Sequence, residues 1–205
     1  MLPIAENVMS RIGPRQALPL GLVPRLSIDQ LLWVANTRHG PGGHWFARVT
    51  EDTGDHDHLV DPADAVDYLE RHHVPLPTGR PSPSDLRRLE AIREMIRGLL
   101  DPARPAWSSH VLEALQATRF IAQPDGTIRA DGQGWAGFLC DLLLPLIELV
   151  DLRVHLRLCG NPHCRLAFLV LSRNQSRRWC DTGGCGNRDR VRRYRTGIAH
   201  DERAR

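Results

Sequence analysis

Lysine is absent from this chain, so all 27 of its basic side chains are arginines. Long apolar runs are absent too. A bilayer span takes about 20 apolar residues, and the longest stretch here, Leu139 to Val150, is interrupted by Asp141, Pro145 and Glu148. The opening MLPIAENVMSRIGPRQALPLGLVPRL has no unbroken apolar segment and no small-residue cleavage site, so neither membrane insertion nor export is expected and a cytoplasmic setting is. There is no Walker loop, glycine-rich dinucleotide fingerprint, HExxH or nucleophile elbow. No catalytic residue is nominated, and an enzyme is the least supported class. Aromatic side chains are only 5% of the chain, and in its last quarter Trp179 and Tyr194 are the candidates for stacking on bases. With 41% hydrophobic and 25% charged residues the chain can still bury an ordinary core.

Four of the five cysteines stand in two matched pairs, Cys159-x4-Cys164 and Cys180-x4-Cys185. Four thiolates satisfy a tetrahedral Zn2+ and leave no open position, so such a site builds structure and performs no hydrolysis. Two disulfides are the competing reading. In a reducing compartment paired cysteines read as metal ligands, which favours one structural zinc ion. Cys140, in the apolar run WAGFLCDLLLPLIELV, reads as a buried thiol.

Charge is divided unevenly. Residues 152–205 carry thirteen Arg against four acids, a net of +9, while residues 1–151 carry fourteen Arg against twenty acids, a net of −6. A basic C-terminal part points to a polyanionic partner, nucleic acid first: DNA as the leading choice, with RNA or a protein partner as alternatives.

Local patterns predict a mainly α protein with small β elements. Three parts are expected: a flexible lead-in over 1–25, a mostly helical domain over 26–152, and a four-cysteine zinc finger over 153–205. LSIDQLLWVANT reads as a helix capped by Ser27, PADAVDYLERHH as one capped by Asp61 with Pro62 in its first turn, and SDLRRLEAIREMIRGLL as one capped by Ser84. HWFARVT reads as extended, residues 107–118 as a helix, and RFIAQPDGTIRAD as a hairpin turned at Pro124-Asp125-Gly126. Residues 134–152 read as a buried helix that Pro145 should kink or break. His56 and His58, interleaved with Asp55 and Asp57, have chelating spacing that His72 and His73 could join, although loop histidines are usually structural. A small-molecule ligand of the helical domain would fall near Trp33, Asn36 or His39.

Within the finger, CGNPHC reads as a tight loop, LAFLVL as a strand with Phe168 beneath the metal, and SRNQSRR as the segment that turns the chain back to Trp179 and Cys180. Cys185 then falls where a helix can start, its thiolate favoured by the positive end of the helix dipole. Knuckle, hairpin and helix together outline a treble-clef-like finger. On that helix Arg188, Arg192 and Arg195 share a face, Arg190 and Arg193 point elsewhere, and Val191 and Tyr194 are expected to pack on the finger. Joined by Arg173, Arg177 and Arg178, the face could follow phosphates or read guanine edges. The alternative is structural, with Arg173, Asn174, Arg178 and Arg188 the leading candidates for holding sulfurs and turns.

The string SRNQSRRWC followed by CGNR resembles the CGNR zinc-finger family of bacterial proteins, and LSIDQLLWVANT with LRRLEAIREMIRGLL resembles the ABATE-type domain that precedes that finger. The resemblance implies a stress-related transcription regulator with a zinc ion held by Cys159, Cys164, Cys180 and Cys185, and with Gly186, Asn187 and Arg188 completing the signature. A homodimer is expected if DNA is the target, since one short finger covers too little surface for tight specific binding. Two departures stand out: Val170 and Leu171 precede SRN where members carry an acid, and Trp33-Val-Ala-Asn-Thr37 replaces an Asp-Phe-Val-Asn-Thr type run.

Overall fold

The computed structural model describes residues 23–40, 56–100 and 109–203. Helix α1, Ile28–Ala35, starts as its sequence dictates: Ser27 accepts from the Gln30 amide while the Gln30 side chain accepts from the Ser27 amide, a reciprocal capping box. In α2, Pro62–Arg71, the Asp61 carboxylate caps the amides of Ala63 and Asp64, and Pro62 takes the first turn, where its missing N–H costs nothing. Helix α3, Pro83–Gly98, begins earlier than its pattern suggests. Ser82, not Ser84, is the cap, because Asp85 three residues on reaches back to the Ser82 amide and Pro83 fits the first helical position. Leu86, Leu89, Ile92, Arg93 and Ile96 give α3 its buried face.

Helix α4, Ser109–Ala117, precedes a hairpin of β4, Phe120–Ala122, and β5, Thr127–Ala130, turned through Gly126 at φ +80°. The short β1, Val23–Pro24, adds to β5 in parallel, a pairing that connects the start of the described chain to the hairpin. The apolar stretch after it forms two helices, α5, Gly134–Asp141, and α6, Leu143–Asp151. The break falls at Leu142 and leaves Pro145 in the first turn of α6, where a proline is tolerated. Asp141, buried at that junction, accepts from the Ala130 amide at 2.5 Å and from Arg25 at 3.2 Å.

Two further ladders lie among the described residues: β2, Arg38–His39, with β3, His56–Asp57, and β6, Leu156–Leu158, with β7, Ala167–Leu169. The extended piece expected over HWFARVT lies outside the described residues. Strand β7 and its flanks explain the apolar run LAFLVL. Side chains alternate across a strand: Ala167 and Leu169 enter the main core with α1, α2, α3, α5 and α6, while Leu166, Phe168 and Val170 join the cysteines. Both faces are buried, so every position is apolar. The finger hairpin is therefore stitched into the helical core.

Candidate metal centre and nucleic-acid interface

The first knuckle is the turn between β6 and β7, closed by Cys159 N–H to Leu166 O at 2.8 Å and Cys164 N–H to Asn161 O at 2.9 Å. Residues 172–175 do form a turn, closed by Gln175 N–H to Ser172 O at 3.0 Å, but the hairpin is that of β6 and β7 around the knuckle, so Arg173, Arg177 and Arg178, expected on a hairpin, follow it in a segment without strand. The second knuckle is a tight turn, Thr182–Gly186, whose cap Asp181 accepts from the Gly184 amide, and helix α7, Asn187–Arg203, follows directly. One donor from each knuckle reaches a sulfur of the other: Asn161 Nδ2 donates to Cys185 Sγ at 3.6 Å and the Cys180 amide to Cys159 Sγ at 3.5 Å.

Between the knuckles lies the Trp179 indole. A Cβ placed on Gly160 would sit 3.0 Å from one edge of it, and a Cβ on Gly186 would sit 3.1 Å from the other. The glycines of the two Cys-Gly-Asn strings thus leave room for a single tryptophan, which makes Trp179 a packing element and not a platform for bases.

All four thiol sulfurs lie within 4.8 Å of one another, with Cys164 to Cys180 at 3.6 Å and Cys180 to Cys185 at 3.8 Å. Those spacings decide between the two readings of the cysteines. A disulfide needs about 2.05 Å, whereas thiolates at ~2.3 Å from a tetrahedral zinc stand about 3.8 Å apart. The donors fit one Zn2+, held by Cys159, Cys164, Cys180 and Cys185 with no vertex left for water. Without a cation the four thiols frustrate one another: hydrogen bonds from Cys164, Cys180 and Cys185 hold Cys159 far below the usual thiol range, and Cys159 in turn pushes Cys164 and Cys180 upward. A dication is what allows all four to ionise together.

Around this centre the arginines divide by what they touch. Arg177 is committed: its Nε donates to Trp179 O at 2.9 Å, its Nη2 to Cys180 O, and its guanidinium lies 5.1 Å over the Phe168 ring. The sequence alone places it at the nucleic-acid interface, whereas here it braces the second knuckle. Arg178 stacks at 5.4 Å over Trp179. On α7 the buried carboxylate of Asp189 binds both Arg192 and Arg193, each at 2.6 Å. Burial opposes ionisation of Asp189, but the two guanidiniums outweigh it and hold its pKa below the usual carboxylate value. Arg173 and Arg195 are exposed and make no hydrogen bond or ion pair among the described residues, and Arg188 is exposed with a partner. Val191 and Tyr194, expected to pack on the finger, are 40% and 70% exposed and stand outside the cluster of buried side chains around the cysteines.

In the helical part, Asn36 is a hinge point that its sequence does not betray. Its amide donates to Ala167 O at 3.0 Å and accepts from Ala167 N–H at 2.7 Å, pairing with the outer edge of β7 as a strand would. Both ends are occupied, so Asn36 is no open ligand contact. Tyr68 OH donates to Asn36 O at 2.8 Å, and Gly40 N–H to Cys164 O at 3.1 Å. Trp33 stacks on His72 with ring centroids 3.6 Å apart. Burial pushes both His58 and His72 down to about 4. Of the interleaved pair expected to chelate with His56 and His58, Asp57 turns away to the buried Arg93 at 2.6 Å, and Asp55 lies outside the described residues.

A four-thiolate centre without an open vertex, built from two knuckles and a following helix and bonded to a helical core, defines a protein with a structural zinc finger. The sequence profiles of two known families match this arrangement: the CGNR zinc finger over residues 155–196, and ABATE, described as "putative stress-induced transcription regulator", over residues 32–150. The second match spans more than half of the chain, and the protein belongs to the ABATE family, with a CGNR zinc finger at its C-terminal side. No curated protein matches the chain. No helix among the described residues is long and apolar enough to cross a membrane.

Proposed function

We propose that this protein is a DNA-binding transcription regulator in which zinc holds the finger together and arginines of segment 171–180 and of α7 meet the phosphate backbone. The observation that carries this reading is the placement of charge: a net of +9 over residues 152–205, with exposed arginines surrounding a sealed metal cluster. Arg173 and Arg195 lead the interface because no acceptor among the described residues competes for them. Arg178, Arg188 and Arg192 join it from partnered positions, and Arg177 contributes its charge while bracing the knuckle. The acidic helical part, residues 26–152, is the sensing or dimerising unit, and two fingers of a homodimer would together cover the surface a specific site requires.

Mobility-shift titrations of the zinc-loaded protein at several salt concentrations test this. Each phosphate contact contributes about 0.9 to the slope of log affinity against log salt, so Arg173→Ala with Arg195→Ala should flatten the slope by about 2. An unchanged slope and affinity would remove these arginines from any interface. A second reading, single-stranded RNA, has Tyr194 in its favour, since a ring 70% exposed on the basic helix is available to stack on a base. Tyr194→Ala should abolish RNA binding under that reading and leave duplex DNA binding nearly intact.

A further inference from the structure

Away from the cysteines, a second set of metal-ligating side chains converges where β3 meets α2. His56 Nε2 lies 3.2 Å from Asp64 Oδ2, and His58 Nδ1 lies 2.9 Å from Asp64 Oδ1. One donor atom from each of the three lies within 4.8 Å of the others. Donors at 2.0–2.2 Å from a common transition-metal ion stand about 3–3.6 Å apart, a spacing that the two nitrogen-to-carboxylate distances approach.

The protons on the neighbouring rings favour a cation further. His39 Nδ1 is 2.8 Å from the carbonyl oxygen of Gly40, which can only accept, so the ring proton of a neutral His39 is on Nδ1. Its Nε2, 3.2 Å from His58 Nε2, is then an acceptor, and His58 carries its own proton on Nε2. That leaves the Nδ1 lone pair of His58 directed at a carboxylate oxygen. Two electron-rich atoms at 2.9 Å require a positive charge between them. Either an extra proton makes one of these buried rings an imidazolium, or a metal ion takes its place. Metal-bound histidines characteristically donate their other ring N–H to a carbonyl or a similar acceptor, which fixes the tautomer. The relay from His58 through His39 to Gly40 O is of that kind.

We propose that His56, His58 and Asp64 bind a second, exchangeable divalent transition-metal ion, with His39 as the positioning residue that sets the His58 tautomer. Two imidazoles and one carboxylate suit Zn2+, Co2+ or Ni2+ better than Mg2+ or Ca2+. Three protein ligands leave vertices for water, so this ion exchanges where the four-thiolate zinc does not. The site also lies close to the finger along the backbone, because the same Gly40 donates its N–H to Cys164 O at 3.1 Å. A Cβ on Gly40 would come within 2.6 Å of His163 O, so the two backbones are in direct contact.

Titration of the full-length, zinc-loaded chain with Co2+, read by metal analysis after gel filtration and by visible absorption, tests the proposal. The expected result is one further equivalent of metal whose spectrum lacks thiolate-to-cobalt charge transfer. His56→Ala, an exposed position whose loss should not disturb folding, and the near-isosteric Asp64→Asn should each abolish that equivalent and leave the cysteine-bound zinc in place. His39→Ala should weaken it by on the order of 10–100-fold, as loss of an outer partner does. No second equivalent in excess Co2+, or one that survives both His56→Ala and Asp64→Asn, would overturn the site. Nitrogen NMR showing an imidazolium at His39 or His58 that persists in excess Co2+ would assign the intervening charge to a proton and overturn it equally.

Discussion

Around Leu31, Leu69, Leu89 and Leu146 the protein buries a large cluster of apolar side chains, whereas around the cysteines it buries three apolar side chains, Leu166, Phe168 and Val170, beside the sulfurs of Cys159, Cys164 and Cys185. The first cluster draws on five helices and folds by removing hydrocarbon from water. The second is too small for that and depends on an ion to gather its knuckles. They meet in β7, which offers one face to each. The stability of the finger therefore has two sources, metal from within and the helical core from outside, and the contribution of each can be measured.

Removing the metal should have the largest effect. Structural zinc contributes an apparent ~10–16 kcal/mol in isolated finger peptides, far more than the Leu166, Phe168 and Val170 contacts can replace. Chelation, or Cys164→Ser, should therefore unfold residues 171–196 and the knuckles while the helices of the N-terminal part persist. Hydrogen exchange resolved by segment checks this. Uniform loss of protection in both parts would mean that the two clusters form one cooperative unit and that the comparison fails.

The converse experiment strikes the core at Arg93, whose fully buried guanidinium binds Asp57 at 2.6 Å and Glu90 and Glu94 at 3.1 Å each. Arg93→Ala opens a cavity at a fully buried position and leaves Asp57 without its cation, and loss of a large buried side chain costs about 2–5 kcal/mol, while Glu90 and Glu94, both more than half exposed, are solvated and add little. For a chain of this length that lowers Tm by on the order of 10 °C, and zinc affinity should change little by comparison. Asn36→Ala should come next, at about 2–3 kcal/mol, because it leaves the buried N–H and C=O of Ala167 unpaired on the outer edge of β7. Faster exchange of the Ala167 amide, with the helical core still protected, would show that this side chain couples the two regions.

The difference between the regions also governs what could be read from the sequence. Two Cys-x4-Cys pairs, a proline after Asp61 and an Asp-Gly turn are local signals, and the metal centre, α2 and the β4–β5 hairpin follow from them. The pattern places the cap of α3 two residues late because Ser82 and Ser84 are both good caps, and only the reach of Asp85 decides between them. The roles of Asn36, Arg177 and Trp179 are not local. Asn36 reads as a helix end until β7 is placed beside it, more than a hundred residues later. Arg177 resembles any basic residue in a basic segment until its carbonyl acceptors fold around it. The outward turn of Val191 and Tyr194 has the same origin, since helical periodicity assigns residues to faces without saying which face the fold buries.

Acid provides the smallest and most selective test. Burial holds His72 at about 4 against an ordinary 6.5, so the unfolded chain binds a proton there that the folded chain refuses until much lower pH. Stability rises with pH wherever the unfolded state holds more protons. This contribution is therefore fully present above pH 6.5 and is lost as pH falls toward 4. Partial exposure of the ring limits it to on the order of 1 kcal/mol. His72→Phe keeps the stack on Trp33 and removes the titration, so its denaturation midpoint should fall less between these pH values than that of the parent protein. Because His72 packs on α1, the loss should appear first in the helical core, as faster amide exchange there, and reach the finger afterwards through β7 and Asn36. If the cysteine-bound metal were released at a higher pH than the helices loosen, the finger would be the acid-sensitive partner, and the order of dependence between the two clusters would be reversed.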